Sequence, residues 1–528
     1  MLVNLPAAPL HFSTCSSVVP HQKDQKDFPT MPNITHLKTT TPTARISPRF
    51  YGHFAEHLAR CCYDGLWVGP ASSIPNTRGW RNDLIHALQQ MPVPMVRWPG
   101  GCYADHYHWR DGIGQRTPRL GISCGTRVTD TNELGTHEFM DLCELLQAEP
   151  YLAGNMATGS VQEMCDWLEY TSGTADTSVT RERKRNGRAN PWDVKLWGVG
   201  NESWDCGGRY DARTYAAEFK RYAVMMKHVD PSVELVAVGN DEVAASRADH
   251  MQNDWNDLFM DHVQDHLDLV DQLSVHTYWI DGGSETGFSE EHYYTLLAEA
   301  DTTEEAIVRA KTTIDKYARG RKDIKVALDE YGVWHPETRP WGPGPHVEDR
   351  PFNFEQANTI RDALSVGIAL EGFHRQARIL GLANLAQIVN VLQSVAMTDG
   401  EKMFLTPTYH ALKLHEHHIS GMGFGVEVQT ERLFGQQRVS ATASQKAGVT
   451  TLTVINRHIS ESSTVHLHDL PEVLLEARML SASSPDAVNS HSDPERIQLQ
   501  PLDAHRKGNV WVVDLPAHSM ATLRFRHA

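Results

Sequence analysis

Eight short apolar runs, each followed by a segment of helical period, constrain this chain more than any other feature. Between Ser47 and about Ser394 they are Arg49–Phe54, Pro94–Trp98, Pro150–Gly154, Val194–Gly200, Val233–Val238, Gln272–His276, Ile324–Asp329 and Leu382–Val389. Runs this short, rich in β-branched and aromatic residues, suit buried strands. The segments between them read as amphipathic helices. In Asp211–Val229, Tyr215, Phe219, Tyr222 and Met226 recur at helical spacing; in Thr303–Tyr317, Ile307, Ala310, Ile314 and Tyr317 do the same. Thr302 with Glu305 offers a capping box for the second helix. Eight such units predict an α/β fold, a (β/α)8 TIM barrel with extended loops. An open doubly wound sheet is the other arrangement of the same pattern. No Gly-x-Gly-x-x-Gly follows the first run, which weakens a nucleotide-binding version of it.

The chain is too long for one ordinary domain, at 528 residues. After about residue 410 the helical period gives way to short alternating runs: Val449–Ile455, Thr464–His468, Val473–Ala477, Ile497–Leu499, Val510–Leu515 and Thr522–Arg526. Turn residues such as Ser484-Pro485-Asp486 and Lys507-Gly508-Asn509 separate them. That pattern predicts a C-terminal antiparallel β-sandwich. The expected division is a disordered leader at 1–33, a strand at 34–46 contributing to the sandwich, the catalytic barrel at 47–410 and the sandwich at 411–528. Met31 offers a second start.

A net charge of −17 argues against nucleic acid or an anionic membrane surface as the main partner. No apolar run is long enough to span a bilayer. Met1–Leu10 lacks a basic start and is broken by Pro6 and Pro9, which makes a poor signal peptide. Eight scattered cysteines fit reduced thiols better than a disulfide framework. The expected location is the cytoplasm.

Two of the apolar runs end in acid. Leu196-Trp197-Gly198-Val199-Gly200 leads into Asn201-Glu202, and Ile324–Leu328 into Asp329-Glu330. Gly200 lets the backbone bend as it leaves the sheet, and Asn201 sets an amide beside an acid. As strands four and seven of a barrel, both runs deliver a carboxylate to the C-terminal face, where barrel active sites lie. Two facing carboxyls suit glycoside hydrolysis. A gap of roughly 5 Å gives retention, a wider one inversion, and the sequence leaves the gap open. The proton donor needs a pKa raised by burial and a nearby negative charge; the nucleophile needs hydrogen-bond donors. Taken alone, Glu202 also reads as a strand-ending turn, and Glu330 as a barrel-mouth ion pair. The 13 Trp suit sugar-stacking surfaces and large cores alike.

Seven motifs occur in order: Gly52-His53-Phe54-Ala55-Glu56-His57, Arg97-Trp98-Pro99-Gly100-Gly101, His108-Trp109-Arg110-Asp111-Gly112-Ile113-Gly114, Trp197-Gly198-Val199-Gly200-Asn201-Glu202, Ser274-Val275-His276, Asp329-Glu330 and Asn384-Leu385-Ala386-Gln387-Ile388-Val389-Asn390. Each sits at a predicted strand end or barrel loop. From about residue 46 onward the chain resembles the α-L-arabinofuranosidases of glycoside hydrolase family fifty-one. The resemblance implies a barrel with a C-terminal β-sandwich, Glu202 as acid/base, Glu330 as nucleophile, retention, and neither metal nor cofactor. It implies that Glu56, Asn201, His276, Tyr278 and Gln387 hold the sugar or the nucleophile, with Trp334 as an aromatic near the sugar. It also implies arabinose-containing oligosaccharides as substrates and a homo-oligomer, often a hexamer. A small, hydroxyl-rich furanose needs several convergent polar groups to fix it, which such a set supplies.

The chain departs from the commonest family pattern at three places. Cys102 stands where an Asn is usual, Tyr331 where a Trp is usual, and Ser203 where Asn is common. These changes touch substrate preference rather than the chemistry. A β-xylosidase or endo-glucanase on the same barrel is the alternative, since the family contains such members. Taken alone, Glu56 could pair with Arg60 in a helical turn, and His276, Tyr278 and Gln387 could be satisfied core residues. The histidine pairs His53/His57, His106/His108 and His417/His418 would suit a metal-dependent hydrolase, but no His-Glu-x-x-His is present. Cys61, Cys62 and Cys102 read as buried thiols rather than zinc ligands. A carbohydrate-binding sandwich on an inactive barrel is the non-enzyme reading, and the presence of both carboxylates weighs against it.

Overall fold

In the computed structural model, residues 33–241, 254–339 and 354–528 are described; the expected leader falls almost wholly outside them. Eight parallel strands close into a barrel, hydrogen-bonded in chain order. They are β1 (Gly52–Phe54), β2 (Met95–Trp98), β3 (Glu149–Gly154), β4 (Leu196–Val199), β5 (Glu234–Ala237), β6 (Gln272–Trp279), β7 (Lys325–Val333) and β8 (Leu380–Ala386). Every predicted run overlaps one of them, and the open-sheet alternative is set aside. Met95, Tyr151, Leu196, Val236, Ala327 and Leu382 point inward from six strands and form a packed plug, which floors the barrel's mouth. β1 starts later than the first run because Pro48–Tyr51 forms a 3-10 turn capped by the Ser47 side chain. β6 and β7 run further than predicted, so Tyr278 and Glu330 lie within strands.

The helix Ala212–Val229 buries Tyr215, Phe219, Tyr222 and Met226, the stripe its sequence predicts. The helix at Glu290–Ala318 differs from expectation. It starts at a Ser289 cap, so Thr302 and Glu305 lie in its middle and form no capping box. Tyr293, Tyr294, Leu296 and Leu297 extend the apolar stripe upstream, and Thr302 Oγ1 instead bonds the Glu299 carbonyl at 2.7 Å.

The C-terminal strands form one ten-stranded hydrogen-bonded sheet. Ile34–Arg45 lies within it, antiparallel to Met422–Gln429 and parallel to Ser463–His468. The sheet folds over on itself. Val510–Leu515 and Ser519–Arg526 lie far apart in strand order, yet the Trp511 and Phe525 rings meet at 5.6 Å around a core with Leu37, Val454 and Val465. Ile497–Leu499 is not a strand. Ile497 is buried in a loop with its N–H on Asn489 Oδ1, and Gln500–Pro501 pairs in its place. A short apolar triplet can be buried without a ladder partner.

The helix Ile360–Arg375, buried through His374, lies between barrel and sheet. From it Glu371 accepts a bond from Ser440 Oγ at 3.1 Å, and His374 bonds Thr442 at 2.9 Å. Arg457 reaches across the same seam to Asp301.

Candidate active site

Glu202 leaves β4 through a tight turn. Gly200 has φ +84°, and a Cβ there would lie 2.9 Å from Ser203 Oγ. Glu202 itself has φ +40°, a left-handed conformation that a non-glycine residue holds only when its surroundings enforce it. Here its carbonyl accepts the Asp205 and Gly207 N–H groups at 2.8 and 3.1 Å. The Asn201 N–H is held by Asp105 Oδ2 at 2.9 Å, and Asp105 Oδ1 accepts from Met156 and Ala157 at 2.7 and 3.1 Å. One buried aspartate thus ties the ends of β3 and β4 together.

Glu330 is aimed by a different device. Between Val275↔Leu328 and His276↔Glu330 the β6–β7 register slips, leaving Asp329 as the extra residue of a bulge. Neighbouring strand residues ordinarily face opposite sides. Across the bulge both acids meet groups of the barrel interior: Asp329 accepts from Tyr151 at 2.9 Å, and Glu330 from Arg97 and Tyr278, each at 2.7 Å.

The two glutamates face one cavity. His276 Nδ1 lies 2.9 Å from Glu202 Oε1 and 3.7 Å from Glu330 Oε2, and one oxygen of each carboxylate lies within 4.8 Å of the other. Their electrostatics diverge. Burial, with the charges of Glu330 and Asp241, pushes Glu202 up to about 7 against the pull of His276. Burial pushes Glu330 the same way, but the His276 and Arg97 charges with the Arg97 and Tyr278 hydrogen bonds outweigh it. They hold Glu330 below the usual carboxylate value. His276 is desolvated, yet the two carboxylates raise it to about 9, so its ring N–H donates to Glu202 Oε1.

The remaining expected residues converge here too. Asn201 Oδ1 accepts from Arg97 Nη2 at 2.6 Å. The Tyr278 ring meets Trp334 edge-on at 5.2 Å. Glu56 does not pair with Arg60, which goes to Glu355. Its Oε1 accepts Gly101 N–H, Tyr103 N–H and Ser123 Oγ, and its Oε2 accepts Gln387 Nε2 at 2.6 Å. Gly101 is required where it stands, since a Cβ there would lie 2.6 Å from Glu330 Oε1. No sequence pattern assigns a role to Arg97, Asp105, Asp329 or Tyr151. The available signal was a charged residue inside an apolar strand, as at Arg97, where burial demands a partner.

One expectation changes. Cys102 and Cys206 form a disulfide, 104 residues apart in the chain; Cys61, Cys62, Cys124, Cys143 and Cys165 are free, and Cys15 lies outside the described residues. Spacing could not show this pairing, because it joins the loops after β2 and β4. The histidine pairs do not converge: His57 bonds Asp130, His108 bonds Glu163, and His418 bonds Ser444 and Thr453. Tyr331 packs between Trp279 and Phe373 as a core residue.

A family model described as the α-L-arabinofuranosidase 1 domain matches residues 87–278, and the α-L-arabinofuranosidase C-terminal domain matches 329–519. An intracellular exo-α-L-arabinofuranosidase from Bacteroides ovatus is 36% identical over 499 residues, 91% of this chain and 93% of that protein. The chain belongs to the α-L-arabinofuranosidases of glycoside hydrolase family 51. The crystal structure of the family 51 arabinofuranosidase from Xanthomonas axonopodis pv. citri superposes with a TM-score of 0.85 at 34% identity, covering 93% of this chain and all of that one. The Thermotoga maritima α-L-arabinofuranosidase, solved as an arabinose complex, gives 0.80 at 28% identity, covering 93% and 99%. Like these arabinofuranosidases, the chain is a glycoside hydrolase.

Proposed function

We propose that this α-L-arabinofuranosidase removes terminal non-reducing α-L-arabinofuranosyl units from arabinoxylan and arabinan oligosaccharides, with retention. The observation that carries the reading is one pair of facing carboxylates with an oxygen of each within 4.8 Å of the other, one made a proton donor and the other an anion by their surroundings. That spacing suits double displacement and leaves little room for the water an inverting enzyme needs. Glu330 attacks the anomeric carbon while Glu202 protonates the departing glycosidic oxygen. Glu202, now a carboxylate, then takes a proton from the water that releases the sugar. Arg97 and Tyr278 hold Glu330 ionised and aimed. Asn201, Glu56 and Gln387 bind sugar hydroxyls; the buried Gln387 Oε1 has no partner among the described residues, which suits a hydroxyl donor. Trp334 and Tyr278 wall the furanose.

Glu330→Ala is expected to cut turnover of an aryl arabinofuranoside at least about a thousandfold, since a covalent nucleophile is lost. Activity within about tenfold of the parent would reject the assignment. Initial rates on aryl arabinofuranoside, aryl xyloside and a glucan test the substrate class. The reading includes a cytoplasmic homo-oligomer. Among the described residues no helix is long and apolar enough to cross a membrane. A single-chain mass in light scattering would remove the oligomer.

A further inference from the structure

The disulfide between Cys102 and Cys206 lies against the proton donor. Glu202 Oε1 is taken by His276, so Oε2 is the oxygen left to serve the glycosidic bond. Oε2 lies 3.6 Å from Cys206 Sγ and 3.9 Å from Cys102 Sγ. Among the described residues no N–H or O–H donates to it. A bridged sulfur carries no proton, so Oε2 faces two polarisable atoms that neither give nor compete for one. The bridge also ties the Asn201–Gly208 turn, which carries Glu202, to the loop after Gly101.

Building on the hydrolase reading above, we propose that Cys102 and Cys206 are positioning residues for Glu202, and that their redox state tunes the proton donor. Opening the bridge breaks the Sγ–Sγ bond. A dithiol supplies two electrons and two protons, each sulfur becomes an S–H, and the dithiol closes to its own disulfide. The two new S–H groups lie within reach of Oε2 and donate to it. Hydrogen bonds to the charged form favour the carboxylate, so the reduced enzyme surrenders its proton at lower pH. The other titratable groups around Glu202 are His276, Glu330, Asp241, Tyr278 and Cys124, and they are the same in both states. In a compartment rich in dithiols the pair is exposed to reduction. The protein then exists in a bridged form that keeps the donor proton to higher pH and an open form that loses it at lower pH.

The test uses the full-length enzyme, oxidised with diamide or reduced with dithiothreitol, then freed of reagent. Its eight cysteines include the bridged pair, so denatured thiol counts distinguish the states, and the linked Cys102–Cys206 peptide is identified by mass. Profiles of kcat/KM against pH are compared for an arabinofuranoside with an alkyl leaving group and for the dinitrophenyl arabinofuranoside. Reduction is expected to move the descending limb for the alkyl substrate down by about half a pH unit, a loss of roughly threefold on the alkaline side. The dinitrophenyl substrate, which needs no proton, should change less. The double variant Cys102→Ser/Cys206→Ser keeps two donors without a bridge and should sit at or below the reduced limb, unaffected by dithiol; Cys206→Ser alone serves if the double variant does not fold. Coincident profiles for the two states, absence of the linked peptide after oxidation, or equal loss on both substrates without a moved limb would overturn the proposal. Inactivity on both arabinofuranosides in either state would overturn the functional reading, and this one with it.

Discussion

Glu202 gives one carboxylate oxygen to His276 and turns the other towards sulfur, while Glu330 has donors on both oxygens. The difference predicts an asymmetric pH profile. With Glu202 at about 7, the protonated donor is lost as pH rises through that value, so kcat/KM for a poor leaving group should fall on the alkaline side of about 7. Glu330 is held below the ordinary carboxylate value, so the acid limb should lie below 4.5. Glu202→Ala should abolish the alkaline limb and cost most on poor leaving groups; equal damage to dinitrophenyl and alkyl substrates would contradict the role. Tyr278→Phe removes one donor from Glu330. It should raise the acid limb by about half a pH unit to one unit and lower kcat roughly tenfold, read from the same profiles.

At the level of elements, the barrel mouth depends on side chains that tie strand ends together. Asp105 accepts three backbone N–H groups from the ends of β3 and β4. Asp105→Ala leaves them without an acceptor, each costing about 1–3 kcal/mol. We expect a total loss of about 3–5 kcal/mol in urea unfolding, with kcat/KM down at least about tenfold as Asn201 and Glu202 drift. Asp105→Asn, which keeps an acceptor oxygen, should lie between. The eight strands were legible because each apolar run is buried on both faces and needs no partner named in advance. Asp105 was not, because a lone aspartate in a loop shows nothing until β3 and β4 bring their orphan N–H groups to it. The β7 bulge was equally hidden. Asp329-Glu330 reads as a strand end, and only the slip against Val275 and His276 turns both acids inward.

Across the whole molecule, barrel and sheet share a seam with buried charge. Arg457, 4% exposed, bonds Asp301 and Ser440, and its guanidinium lies 3.7 Å from fully buried Glu371. Burial already pushes Glu371 up to about 7, against the charges of Arg457 and Arg375. Arg457→Met removes the nearest cation and should destabilise the protein by about 3–5 kcal/mol in urea unfolding. The sign with pH follows from linkage. A carboxyl with a raised native pKa loses stability as pH rises from its unfolded value through the folded one. The variant's folded value is higher still, so the deficit should be larger at pH 8 than at pH 6. A deficit independent of pH would remove Glu371 from the account.

Local patterning alone sets the αβ alternation, the acids Glu202 and Glu330 that follow two apolar runs, and most of the C-terminal strands, because hydrophobic period and turn residues are local properties. The sequence carried the polar set Glu56, Asn201, His276, Tyr278, Trp334 and Gln387 only through motif order. Tertiary structure decided what those residues do. The short gap between Glu202 and Glu330, the clamp of Arg97 on both Glu330 and Asn201, and the disulfide beside the proton donor all join positions a hundred or more residues apart. Charge, burial and distance act through space, and no local pattern in the chain encodes them.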